Sequence, residues 1–144
     1  MTSEGKKLVA YCGLYCGTCD VYEGQFMDAA KRLQGLCQKH AVAAWAPQVA
    51  AFVPAMAGYA QFEGVLGWFT TFDCAGCREG GGDPNCKLRA CVKERGLDGC
   101  WECVDLPCDL RREFFGPDKD PVGNCERIRE VGPEAWAAEQ VVEE

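Results

Sequence analysis

Residues 74–108 read CAGCREGGGDPNCKLRACVKERGLDGCWECVDLPC, placing seven cysteines within 35 residues. Cys74 and Cys77 form one C-x2-C pair and Cys100 and Cys103 form another. Cys86 and Cys91 lie between the pairs, and Cys108 follows them. Two cysteines separated by two residues can turn their sulfurs toward one point while the intervening backbone N–H groups donate to the thiolates, which is the geometry of a zinc knuckle. Upstream, Cys12, Cys16 and Cys19 form C-x3-C-x2-C. This trio needs at least one downstream ligand, which would tie distant parts of the chain together. Asp83-Pro84 predicts the cap and start of a helix running to Arg95, with Gly96 at the left-handed C′ position. On such a helix Cys86 and Cys91 are about 140° apart. Cys86 is then expected to join Cys74 and Cys77, and Cys91 to reach Cys100, Cys103 or Cys108.

Working outward, the whole chain has 144 residues, 12 of them cysteine, and a net charge of −7. The length predicts one domain, too short for a catalytic barrel of roughly 250 residues. The acidic balance argues against nucleic acid as a partner, because phosphate binding needs a basic footprint. Met1 to Tyr11 has no apolar stretch of the kind a signal peptide requires. A cytoplasmic, reducing location is therefore expected, where clustered cysteines bind metal more often than they form bridges. Residues 41–62 carry no charge and are long enough to span a bilayer. Their Ala-rich composition, two glutamines, Pro47 and Pro54 predict buried helices instead, with no membrane partner.

The middle of the chain predicts helices by periodicity. Phe26, Ala30, Leu33, Cys37, His40 or Ala41, and Ala44 form an apolar stripe, and Asp20 with Glu23 resembles a capping signal before it. Pro47 suits the first turn of a second helix with Val49, Phe52, Val53 and Met56 on one face. Pro54 is expected to kink or restart that helix. Phe62, Val65, Leu66 and Phe69 form a further stripe, and core packing is expected for these aromatics. Downstream, Pro107 opens a helix ended by Gly116-Pro117, Asn124 caps one running to Val131, and Pro133 begins the last, to about Val141. Leu8 to Tyr11 is the best strand candidate. The expected fold is mainly α with short β or zinc-knuckle segments, a metal-stapled single domain. It divides into a cysteine-bearing segment (8–24), a helical middle (25–72), a cysteine-rich section (73–116) and C-terminal helices (121–142).

Catalytic constellations are missing. The single histidine, His40, sits on the apolar stripe and reads as structural, so a catalytic zinc held by several histidines cannot form within one chain. Gly80-Gly81-Gly82 matches no phosphate-binding loop and reads as a flexible connection. Cys37 reads as a core thiol, and Cys125, beside a helix start, stays outside the ligand set. Trp101 inside its knuckle is read as packing on a neighbouring helix. Arg78, Lys87, Arg89, Lys93 and Arg95 lie among the ligands, with two readings open: they offset thiolate charge, or they form solvated helix faces. The C-x3-C-x2-C trio also matches the iron–sulfur signature of radical S-adenosylmethionine enzymes. Thr18 stands where those enzymes carry an aromatic, however, and the chain has no room for their barrel.

Three segments together resemble the domain-of-unknown-function 3795 family, a cysteine-rich group of bacterial and archaeal proteins. They are Tyr11 to Cys19, then Cys74 to Gly82 with Cys86 to Cys91, and Gly99 to Cys103 through Pro107-Cys108. Many members carry a further cysteine at the position of Asp83. The resemblance implies zinc binding and a cytoplasmic home, and supplies no reaction. The candidate metal ligands are Cys12, Cys16, Cys19, Cys74, Cys77, Cys86, Cys91, Cys100, Cys103 and Cys108. Ten ligands would fill two four-thiolate sites and leave two spare. Zinc is the expected cofactor, with an iron–sulfur cluster as the alternative, because both use thiolate ligands. The expected role is a structural or interaction module with an unidentified protein partner rather than an enzyme. A weaker alternative is thiol redox sensing with zinc release.

Overall fold

The computed structural model describes residues 3–141. Among these residues it has eight α-helices, with a short 3-10 turn in four of the connections, arranged in two compact units. One unit comprises the described residues up to Tyr22 and those from Cys74 onward; the other is Glu23–Asp73. No strand forms among the described residues. The Leu8–Tyr11 strand is reduced to one isolated bridge between Val9 and Tyr15. The reason is local: Ala10 N–H bonds back to Leu14 O at 2.8 Å and Gly13 N–H to Ala10 O at 3.0 Å, so the chain reverses before a ladder can extend.

In the unit Glu23–Asp73, α2 (Gln25–Lys39) packs on α4 (Tyr59–Phe69), with α3 (Val42–Val49) and a 3-10 turn at Pro54–Gly58 between them in sequence. Phe26 meets Phe69 and Phe72 edge-on at 4.9 and 5.3 Å, and Trp68 stacks on Phe72 at 4.9 Å. The expected Asp20/Glu23 cap does not form. Gly24 is the N-cap, in a left-handed conformation, and the Glu23 carboxylate accepts from the Gln25 amide instead. The long stripe also breaks. His40 is an exposed C-cap, and Ala41 turns left-handed at φ 48° before α3 starts. Pro47 therefore falls inside α3 rather than in its first turn, and α3 ends two residues later. A proline there removes one helical hydrogen bond. Pro54 does restart the chain, as a 3-10 turn. The face expected from Val49 to Met56 is lost with the helix, leaving Phe52 75% exposed.

In the last stripe Leu66 is buried, but Phe62 and Val65 are exposed, and Ala46 is the only buried residue between 41 and 62. About 50 residues in three short helices have too little volume to cover every apolar side chain. Among the described residues no helix is long and apolar enough to cross a membrane.

The other unit surrounds a core of Val9, Val92, Trp101, Ile128, Trp136 and Ala137, with Tyr15 meeting Trp136 edge-on at 6.0 Å. Its helices are α1 (Ser3–Lys7), α5 (Lys87–Glu94), α6 (Asp109–Phe115), α7 (Val122–Val131) and α8 (Pro133–Val141). α8 packs on α1 and α7, and α5 packs on α6.

The expected helix from Asp83 begins later, because Asp83 Oδ1 accepts from Asn85 N–H at 2.9 Å and closes a local turn. Cys86 becomes the N-cap of α5. The C-terminus follows expectation: Gly96 has φ 68°, Gly96 N–H bonds to Lys93 O, and Leu97 N–H bonds to Val92 O, the Schellman pattern. α6 starts two residues after Pro107, with Cys108 as its N-cap, and Gly116 ends it. Pro121, not Asn124, is the N-cap of α7. Pro133 opens α8 as expected. Trp101 is 4% exposed, in keeping with its reading as a packing residue.

Trp136→Ala should cost about 3–5 kcal/mol of stability, as deletion of a fully packed aromatic does. Thermal or urea denaturation followed by circular dichroism checks this value, and an unchanged midpoint would contradict the core assignment.

Candidate metal centre

The cysteine motifs fold as tight turns. Cys16–Thr18 and Cys100–Glu102 are 3-10 turns, closed by Cys19 N–H to Cys16 O and by Cys103 N–H to Cys100 O, both 3.0 Å. Side chains three residues apart eclipse in a 3-10 helix. Each turn therefore brings its two cysteines within one tight loop, the second as an extended C-cap. At the third motif Gly76 N–H donates to Cys74 Sγ at 3.4 Å, the N–H-to-sulfur contact expected of a knuckle. Gly81 closes over this turn with its N–H on Gly76 O at 2.8 Å. A Cβ at Gly81 would lie 2.6 Å from Cys74 Sγ. Gly81 is thus packed against the cysteine turn, while Gly80 and Gly82 on either side are exposed.

Four arginines hold the cysteine loops by their backbone carbonyls. Arg78 donates to Val9 O and Asp98 O, each at 2.8 Å. Arg89, 8% exposed, donates to Cys77 O, Gly81 O and Asp83 O at 3.0, 2.7 and 2.6 Å. Arg129 donates to Trp101 O at 2.7 Å and Cys103 O at 2.9 Å. Arg111 is fully buried, donates to Cys12 O at 2.8 Å and pairs with Asp120 at 2.6 and 2.9 Å. Burial alone would lower the pKa of Arg111. Its hydrogen bonds to Asp120 and the adjacent Cys125 and Cys100 sulfurs outweigh that, so it stays charged.

Of the five cations singled out in the sequence, Arg78 and Arg89 are backbone clamps rather than solvated helix faces. Arg95 does meet a sulfur, with Nη1 3.3 Å from Cys103 Sγ and 2.9 Å from Asp105 Oδ2. Lys87 and Lys93 are exposed.

The thiols gather in two places. Burial raises the Cys16 pKa, a backbone hydrogen bond from Cys77 lowers it, and the neighbouring Cys77, Cys74 and Cys19 sulfurs raise it again. Cys91, Cys100, Cys103 and Cys108 line one cavity of about 210 Å³. Burial pushes the Cys12 thiol up to about 12, and the Cys77 and Cys100 sulfurs add to the rise. Cys86 sits at the N-cap of α5. Every cysteine is a free thiol. Cys37 lies in the other unit, where it is half-buried rather than a sealed core thiol, and interacts with the Tyr59 hydroxyl. Cys125 is fully buried, and its thiol donates to Cys12 O at 3.3 Å.

The donor set consists of thiols supported by N–H donation, which suits soft, thiophilic ions. Among the described residues, no three His, Cys, Asp or Glu side chains converge as a ready single-ion site, so an ion would have to draw the sulfurs inward.

Several supporting residues escaped the sequence reading. Arg111, Asp120, Arg129 and Asn124, whose amide donates to Gly13 O at 3.0 Å, belong to no motif. Gly13 carries the one local signal, a glycine between ligands. Its φ is 94°, and an added Cβ would lie 2.8 Å from Cys125 Sγ. Replacing Arg111 by Leu should cost about 3–5 kcal/mol, because it leaves the Asp120 carboxylate enclosed without its counter-charge. Adding Asp120→Leu should recover part of that loss, and a double-mutant cycle from urea denaturation measures the coupling.

No curated protein and no solved structure matches this chain. The family model for DUF3795, described as a protein of unknown function, matches residues 8–113, most of the chain and every candidate ligand. The protein therefore belongs to the DUF3795 family.

Proposed function

We propose that this protein is a zinc-binding module in which cysteine thiolates from the N-terminal segment and from residues 74–77 share an ion. The observation that carries this reading is the grouping of Cys16, Cys19, Cys74 and Cys77, two per turn, on loops already held by hydrogen bonds. Cys19 is exposed and the other three are half-buried, so their side chains have room to rotate onto an ion. The four thiols lose their protons on binding, and Gly76 N–H supports the thiolate of Cys74. Zinc, once bound, supplies a cross-link between segments about 60 residues apart in sequence, and its binding energy becomes folding energy. Arg89 and Arg78 hold the surrounding backbone in place, which reduces the ordering the ion must impose. The role is structural or interactive rather than catalytic. The setting is a reducing cytoplasm, and the acidic surface suits a protein partner in preference to nucleic acid.

Purified protein should contain zinc, and treatment with a strong chelator should lower its melting temperature and reduce its near-ultraviolet circular dichroism. Cys77→Ser should lose about one zinc per chain, whereas Cys37→Ser should keep the wild-type content. Elemental analysis together with thermal melts checks both, and a zinc-free protein whose melt ignores chelator sinks the proposal.

A further inference from the structure

A second constellation lies apart from the loops assigned to zinc. Cys91 from α5, Cys100 and Cys103 from their 3-10 turn, and Cys108 at the N-cap of α6 line one cavity of about 210 Å³. The rest of its wall is five aliphatic residues, among them Leu88, Val92, Leu97 and Leu106, with Arg95, Asp105 and Arg111; Asp105 is paired with Arg95 at 2.9 Å. Three features set this site apart from a mononuclear knuckle. First, the four sulfurs line a cavity of about 210 Å³, a space larger than one ion. Second, the space is framed by packed elements: Leu88 and Val92 are almost fully buried and Cys100 is 8% exposed. Collapse onto a small ion would have to move α5 against α6. Third, two guanidinium groups line the cavity. Arg95 donates to Cys103 Sγ at 3.3 Å, and the buried Arg111 is part of the same wall as Cys100.

We propose that this cavity binds a cubane 4Fe–4S cluster through Cys91, Cys100, Cys103 and Cys108. Such clusters take four cysteine thiolates, and hydrogen bonds to sulfur and exclusion of solvent tune them. A cubane carries its own iron and sulfide and is several ångströms across, so four thiolates can reach it without converging on one point. The apolar wall keeps water from the cluster. Arg95 and Arg111 place positive charge beside an assembly that is net negative. The inference rests on the reading that the gathered thiols are metal ligands, but it assigns a different metal, and different residues, from the zinc proposal.

The test is anaerobic incubation of the full-length chain with ferric iron, sulfide and a thiol reductant, followed by desalting, iron, sulfide and zinc analysis, and a visible spectrum. The expected result is about four iron and about four sulfide per chain with broad visible absorption. Cys108→Ala and, separately, Cys91→Ala should lose the iron and colour while retaining zinc, and Cys77→Ser should lose zinc while retaining iron. Far-ultraviolet circular dichroism confirms that each variant is folded, and the wild-type stoichiometry decides the matter even if one variant fails to fold. A colourless wild type that still holds zinc sensitive to Cys77→Ser overturns the cluster and leaves the zinc reading intact. A second zinc lost in Cys108→Ala overturns it in favour of a mononuclear cavity site. Iron lost in Cys77→Ser but kept in Cys108→Ala overturns the ligand assignment. A chain that holds neither metal overturns both readings.

Discussion

The buried pair of Arg111 and Asp120 is the constraint on which the cysteine-bearing unit depends. A guanidinium with no solvent exposure must have its donors satisfied within the protein. Asp120 takes two of them and supplies the counter-charge, while Cys12 O takes a third. That last bond spans 99 residues and fixes the first cysteine loop to α6. Cys125 adds a thiol donor to the same carbonyl, and Asn124 secures Gly13 O next to it. The N-terminal loop is therefore positioned by polar contacts from α6 and α7.

The same device recurs around the other loops. Arg89 gathers three carbonyls from the Cys77-to-Asp83 loop, Arg129 takes two from the Cys100 turn, and Arg78 joins Val9 to Asp98. Without a sheet, these irregular segments have no ladder to satisfy their backbone groups, and side-chain donors take that role. Arginine suits it because its planar fork carries five donors in fixed directions. Among the described residues no buried side-chain nitrogen or oxygen lacks a partner. Loops anchored in this way can present thiols in a defined arrangement before any metal arrives. That matters most for small domains, whose cores alone contribute little stability.

Local chemistry made much of the fold legible. Gly96 and Gly116 end helices where a left-handed or open backbone is required, and Pro133 starts one where its missing N–H costs nothing. Errors arose where one local rule met a stronger local competitor. Asp83 bonds within its own turn instead of capping a helix, and Ala41 breaks a stripe that periodicity alone would continue. Burial was the poorest reading. Phe52, Phe62 and Val65 are apolar yet exposed, because hydrophobicity does not reveal how many neighbours a short helical unit can supply.

The sequence by itself determined the mainly helical character, the C-terminal ends of the later helices, the tight C-x2-C turns and membership of a cysteine-rich family, because each depends on residues within a few positions of one another or on their order along the chain. Helix geometry already points Cys91 toward Cys100, Cys103 or Cys108; tertiary structure alone decided that all four line one cavity and which side chains hold the loops. Cys91, Cys100, Cys103 and Cys108 share that cavity where α5 packs on α6, and Arg111 ties the Cys12 carbonyl to α6. Those contacts join residues up to about 100 positions apart through charge, burial and shape. No local spacing encodes them, and they exist only once the core has closed.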